Sequence, residues 1–138
     1  MTMAVAERAW CVVVPHHARG SRLARHRLTT ELVGVVRQGL LADVIAVAGE
    51  LVGNAVRHAA PLPGGVIRVA WRLRPGRYAG ESVVELRVTD GGSNQPPHVR
   101  VVGPEAIDGR GLAIVSALAD RWGVERDGLG QSVWAELS

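Results

Sequence analysis

The chain has 138 residues, 16 basic residues that are all arginine, 13 acidic residues and a formal net charge of +3. This length favours one domain, and the absence of lysine excludes a Walker-type P-loop, a Schiff-base enzyme and a eukaryotic-type protein kinase. One cysteine, Cys11, excludes an intramolecular disulfide, and its apolar surroundings predict a buried thiol. The apolar stretches are too short for a signal peptide or a membrane span, which predicts a cytoplasmic protein.

The first half of the chain predicts a strand followed by two helices. Residues 1–8 are expected to form a flexible end, and the β-rich run from Trp10 to Val14 predicts a strand. From His16 to Gly39, apolar residues recur at spacings of three and four, which predicts a helix ending at the glycine. A second helix is predicted from Leu41 to His58, with an apolar and a polar stripe on opposite sides. We expect the three histidines between residues 16 and 26 to form a surface cluster rather than a metal site.

The second half predicts four strands and one helix. Two alternating runs, Val66–Leu73 and Glu81–Thr89, predict a hairpin. Residues 91–110 are rich in glycine and proline, which predicts a long functional loop. A helix is predicted over Leu112–Ala119, followed by two strands over residues 122–125 and 132–137. This order predicts one α+β domain over residues 9–138, with helices on one face of a mostly antiparallel mixed sheet.

The polar stripe of the second predicted helix is the first candidate site. Glu50 and Asn54 are four residues apart and therefore share a helix face, which Arg57 extends. A carboxylate, an amide oxygen and a guanidinium suit a hydrated Mg²⁺ ion and its phosphates, although a solvated helix face remains the alternative. Gly49 and Gly53 interrupt the helix at about 1 kcal/mol each relative to alanine, which indicates close packing or close approach.

Two glycine-containing segments are further candidates. Asp90 ends a strand and is followed by Gly91 and Gly92, so its carboxylate can accept a hydrogen bond from an exocyclic amine such as that of adenine. An ordinary turn is the alternative. The segment 109–112 (GRGL) opens a helix whose free N–H groups suit a phosphate, with a flexible hinge as the alternative.

Taken in order, these three segments resemble the N, G1 and G2 boxes of the GHKL ATPase superfamily, which includes gyrase, histidine kinases and MutL. Within it, residues 50–59 (ELVGNAVRHA) are similar to the bacterial anti-sigma-factor serine/threonine kinases and their actinobacterial relatives. The closing segments GLAIV, DRWGV and GQSVWAEL are also similar to that group. The resemblance covers about residues 10–138.

The resemblance implies a two-layer Bergerat fold that holds ATP between its helices and a flexible lid. By position, Glu50 would be the general base, Asn54 would bind Mg²⁺ and Asp90 would accept the adenine amine. The other residues implied to bind ATP are Arg57, Gly92, Gly109, Arg110, Gly111, Leu112 and Ser132. The chain departs from the pattern at Gly53, where many relatives have Thr or Ser, and at Asn94, where a full G1 box has glycine.

Two functions follow from the resemblance. The first is a Mg-ATP-dependent serine/threonine protein kinase that regulates transcription by acting on an anti-anti-sigma protein. A sigma factor is a second candidate partner and a homodimer a candidate assembly; no direct nucleic-acid or membrane contact is expected. The alternative is an ATP-responsive protein-binding module without kinase activity. From the residues alone, an arginine-rich interaction domain without nucleotide also remains open.

Overall fold

The structure is a computed structural model that describes residues 7–92, 110–128 and 130–138. Most of the predicted flexible end and of the predicted long loop lies outside these residues. The elements are β1 (Arg8–Pro15), α1 (Ala18–Leu32), α2 (Gln38–His58), β2 (Val66–Pro75), β3 (Ser82–Asp90), α3 (Arg110–Leu118), β4 (Arg121–Asp127) and β5 (Gly130–Leu137).

The five strands form one sheet in the order β1-β2-β3-β5-β4. Every pairing among the described strands is antiparallel, so the sheet is not mixed in this part of the chain. The predicted hairpin is the β2–β3 pair. The α+β class and the predicted order of helices and strands are therefore confirmed.

The core lies between the helices and one face of the sheet. Alternate side chains of a strand point to opposite faces, and in β2 one set is buried: Ile67, Val69, Trp71 and Leu73. The apolar stripe predicted for α2 is also buried, and it faces this layer: Val44, Ala48, Leu51 and Ala55. The other face of the sheet carries ion pairs, such as Arg87 with Glu125 at 2.8 Å. The helices thus cover only one face.

The boundary between the first two helices differs from the prediction. Helix α1 ends at Leu32, and α2 begins at Gln38, so Gly39 lies in the first turn of α2 instead of ending α1. The break coincides with Gly34, whose φ of 76° lies in the left-handed region that favours glycine. The sequence analysis chose Gly39 and did not consider Gly34, which lies two residues after the end of α1.

Cys11 is exposed, which corrects the prediction of a buried thiol. Its neighbours Trp10 and Val12 on β1 turn towards the core, and alternation along the strand places Cys11 on the opposite face. There Arg68 of the paired strand donates a hydrogen bond from Nε to the Cys11 Sγ at 3.0 Å. An apolar sequence run therefore did not determine which face of the sheet the thiol occupies.

Helix α2 has 21 residues, and an 18-residue stretch of it has a mean hydropathy of 1.6, so it matches a membrane span by length and composition. The sequence analysis did not anticipate this. Core helices meet the same two criteria, and seven residues of α2 are buried in the protein: Leu40, Val44, Val47, Ala48, Leu51, Val52 and Ala55. Its apolarity is accounted for by this packing.

Candidate functional site

The polar side of α2 places Glu50 and Asn54 one helical turn apart, both half-buried. Arg57 is exposed, and its guanidinium turns back along the helix. Its Nη2 donates a hydrogen bond to the Asn54 Oδ1 at 2.9 Å. The structure therefore brings the three predicted N-box residues together, with Arg57 bound to Asn54.

Gly49 lies where α1 packs against this side of α2. The Ser21 hydroxyl of α1 donates to the Gly49 carbonyl oxygen at 3.4 Å, and a Cβ on Gly49 would lie 3.4 Å from Arg25 Cδ. This is an ordinary contact distance, so the packing of α1 does not by itself require a glycine here. Beside it opens a groove of about 370 Å³ lined by α1, α2 and α3, with Glu50 and Ile114 among its lining residues.

Asp90 is buried at the end of β3, with 4% of its surface exposed. Burial raises the pKa of its carboxyl, while the backbone hydrogen bond from Gly92 and the nearby charge of His16 act in the opposite direction. The Gly92 N–H donates to the Asp90 Oδ1 at 2.7 Å, from a left-handed backbone with a φ of 81°. The predicted pair of Asp90 and Gly92 therefore forms one compact turn.

A reciprocal backbone pair joins the chain after α2 to the end of β3. The Ala60 N–H donates to the Gly92 carbonyl oxygen at 2.9 Å, and the Gly91 N–H donates to the Ala60 carbonyl oxygen at 2.8 Å. A Cβ on Gly91 would collide with the Pro61 carbonyl oxygen, so glycine is needed at this contact. Asn54 lies one turn before the end of α2, so Asn54 and Asp90 occupy the same end of the domain.

His16 strengthens this junction and was missed by the sequence analysis. Its Nε2 lies 2.8 Å from the Ala59 carbonyl oxygen and 3.1 Å from that of Ala55, where an N–H donor satisfies the end of α2. The expected surface cluster is thus incorrect for His16. Among the described residues, no group of three or more His, Cys, Asp or Glu is arranged to hold a metal ion.

Ser132 lies opposite Thr89 in the sheet and not opposite Asp90. It pairs with Thr89 across the sheet, and the two hydroxyl oxygens are 2.7 Å apart. Because Thr89 and Asp90 are consecutive, they face opposite sides of the sheet, and Ser132 shares the side of Thr89. The residue opposite Asp90 is Gln131. The predicted contact of Ser132 with ATP stays a prediction.

Helix α3 begins at Arg110 and packs beside α2. Gly111 lies in its first turn, and Leu112 is half-buried against the core. Gly109 lies outside the described residues. The structure therefore places the helix of the third segment next to the helix that carries Glu50 and Asn54.

Residues 6–137 match the model of a protein family described as the histidine kinase-like ATPase domain. The chain belongs to this family. The resemblance inferred from the ordered segments is therefore confirmed at the level of the family.

A solved structure with the same fold is that of the RsbU and RsbW domains of Rv1364c from Mycobacterium tuberculosis. Its TM-score with this histidine kinase-like ATPase domain is 0.66 at 20% identity, over 94% of this chain and 32% of that chain. The chain thus spans about a third of that protein, and the likeness shows a shared fold. No curated protein sequence matches the chain significantly.

The residues of this histidine kinase-like ATPase fit a magnesium-bound nucleotide by their donor chemistry. Mg²⁺ prefers oxygen ligands and is usually held by one or two protein groups together with phosphates and water. The Asn54 Oδ1 is such a ligand, with the Glu50 carboxylate one turn away. In the structure this oxygen is already engaged by Arg57.

Proposed function

We propose that this domain is an ATP-dependent serine/threonine protein kinase. It would bind Mg-ATP and phosphorylate an anti-anti-sigma partner protein in the cytoplasm, with a sigma factor as a second partner and a homodimer as the assembly. The observation that carries the proposal is the position of Glu50, which lines an open groove one helical turn from Asn54. A base beside both a phosphate site and an opening for a hydroxyl suits phosphoryl transfer.

The nucleotide would lie across the junction between α2 and β3. At one end, the buried Asp90 has a second carboxylate oxygen for the adenine amine, and Gly92 leaves space for the base because it has no side chain. At the other end, Asn54 and Arg57 offer an oxygen ligand and a positive charge to the phosphates. We also propose that residues 109–112 bind the phosphates and that Ser132 contacts the nucleotide, as the resemblance implies; the residue opposite Asp90 in the sheet is Gln131.

In the proposed reaction, a partner serine hydroxyl enters the groove beside Glu50. The Glu50 carboxylate accepts its proton as the serine oxygen bonds to the γ-phosphorus. The bond from that phosphorus to the β–γ bridging oxygen breaks, and ADP leaves. Magnesium, held by Asn54 and the phosphates, would offset the negative charge on the transferred group.

The test is transfer of label from γ-labelled ATP to candidate anti-anti-sigma proteins. We expect Glu50→Gln to reduce transfer by about 100-fold or more, because the amide cannot accept the proton, while ATP affinity changes little. Glu31→Gln is the matched control, since Glu31 lies on α1 and pairs with Arg27 at 3.1 Å. No transfer to any partner by a chain that binds ATP would contradict the kinase proposal.

The alternative function, an ATP-responsive binding module, differs from the kinase in that Glu50 has no role as a base. In an ATP-responsive binding module, nucleotide would change partner affinity without phosphoryl transfer, and Glu50→Gln would leave this response intact. The position of Glu50 at the groove favours the kinase. A pull-down of the partner with and without ATP, combined with the labelling assay, separates the two functions.

A further inference from the structure

The Asn54 side chain is hydrogen-bonded to Arg57 through the oxygen proposed to bind magnesium. The Arg57 Nη2 donates to the Asn54 Oδ1 at 2.9 Å, and this is the oxygen that the proposed magnesium site needs. Both residues are on one face of α2, three positions apart, where side chains meet within a helix. The contact involves no other element and is reachable by solvent at the exposed Arg57.

A guanidinium and a divalent cation on the same amide oxygen repel each other. The hydrogen bond also directs one lone pair of that oxygen towards the guanidinium. Resting on the function proposed above, we propose that Arg57 is a positioning residue that competes with magnesium for Asn54. The metal-bound nucleotide must displace Arg57, whereas metal-free ATP retains the positive charge of Arg57 near its phosphates.

Gly53 is the residue that permits this arrangement. A Cβ at position 53 would lie 3.0 Å from the Arg57 Nη1 and 3.5 Å from its Nη2, so any side chain there presses against the guanidinium. The neighbour is the far end of a flexible side chain, which can move away at little cost. Replacing Gly53 by alanine therefore loosens Arg57 from Asn54 without removing either residue, and it favours the helix.

The measured quantity is the magnesium dependence of binding: the Kd for ATP in EDTA divided by the Kd in saturating Mg²⁺, both by calorimetry on the full chain. We expect Gly53→Ala and Arg57→Ala each to raise this ratio by about two- to fivefold, the range of one exposed hydrogen bond. Arg27→Ala removes the same charge from α1 and should leave the ratio unchanged.

A double-variant cycle separates competition from general electrostatics. With Asn54→Ala in the background, the oxygen is gone, so Gly53→Ala should no longer alter the ratio. An unchanged or reduced ratio in both single variants overturns the competition. The same holds if the effect of Gly53→Ala persists in the Asn54→Ala background. If the wild-type chain binds ATP and both single variants show the wild-type ratio, only this inference is refuted, whereas no ATP binding at all refutes the proposed function as well.

Discussion

The two sides of α2 are built by different forces. Its apolar side is fixed by burial, since Val44, Val47 and Val52 are fully buried in the core. Its polar side is arranged by a few hydrogen bonds, of which the Arg57–Asn54 contact is exposed. Burying one aliphatic side chain contributes about 1.5–3 kcal/mol, more than a typical exposed ion pair. One helix therefore combines a rigid support with side chains that a ligand can rearrange.

The largest expected effect is on the buried side. Leu51→Ala leaves a cavity beneath the site residues, because Leu51 is 2% exposed, and should lower the free energy of unfolding by about 2–5 kcal/mol. Denaturant unfolding followed by tryptophan fluorescence measures it. A loss below about 1 kcal/mol would mean that this side of α2 is not the support described.

Asn54→Ala tests the polar side and should show the opposite pattern. The free energy of unfolding should stay within about 1 kcal/mol of wild type, because alanine favours the helix and the lost hydrogen bond is exposed. ATP affinity in Mg²⁺ should fall by about tenfold, the weight of one charge-assisted contact. Calorimetry and denaturation on the same sample check both, and unchanged affinity would remove Asn54 from the site.

The smallest expected effect on stability is that of Asp90→Asn. Asp90 is polar like the site side of α2 and buried like its core side. Because burial raises its pKa, the folded chain binds this proton more tightly than the unfolded chain, and ionised Asp90 lowers stability above its folded pKa. The asparagine should therefore raise the free energy of unfolding at pH 7. This gain should disappear as the pH falls towards the ordinary value of 3.8. Melting curves between pH 3.5 and pH 7 measure it, and a gain that grows towards acid pH would contradict the assigned cause.

The spacing of apolar residues along the sequence was enough to predict most of the helices and strands. The alternation of Ile67, Val69 and Trp71 in β2 and the helical stripe of α2 are statements about burial, and burial is what dominates folding. The end of α1 was predicted wrongly at Gly39, because the sequence does not show which glycine adopts the left-handed backbone, and in the structure it is Gly34.

The site was predicted as a set of segments but not as an arrangement of atoms. The pairing of Asp90 with Gln131, and of Thr89 with Ser132, depends on a cross-strand register that no local pattern encodes. The folding of Arg57 onto Asn54 depends on a side-chain rotamer. The role of His16 depends on Ala55 and Ala59, which are 39 and 43 positions further along the chain. The register and the His16 contacts join distant parts of the chain, and the Arg57 contact depends on a side-chain conformation, so none of the three can be read from composition or spacing.

The backbone pair between Ala60 and residues 91–92 has a mechanical consequence. It joins the end of α2, with the proposed phosphate-side residues, to the end of β3, with the proposed adenine-binding carboxylate. The two parts of the proposed nucleotide site would therefore be held at a fixed distance from each other. Slowed hydrogen–deuterium exchange at the Ala60 and Gly91 amides on adding nucleotide would then gauge occupancy from a position that touches neither phosphate nor metal.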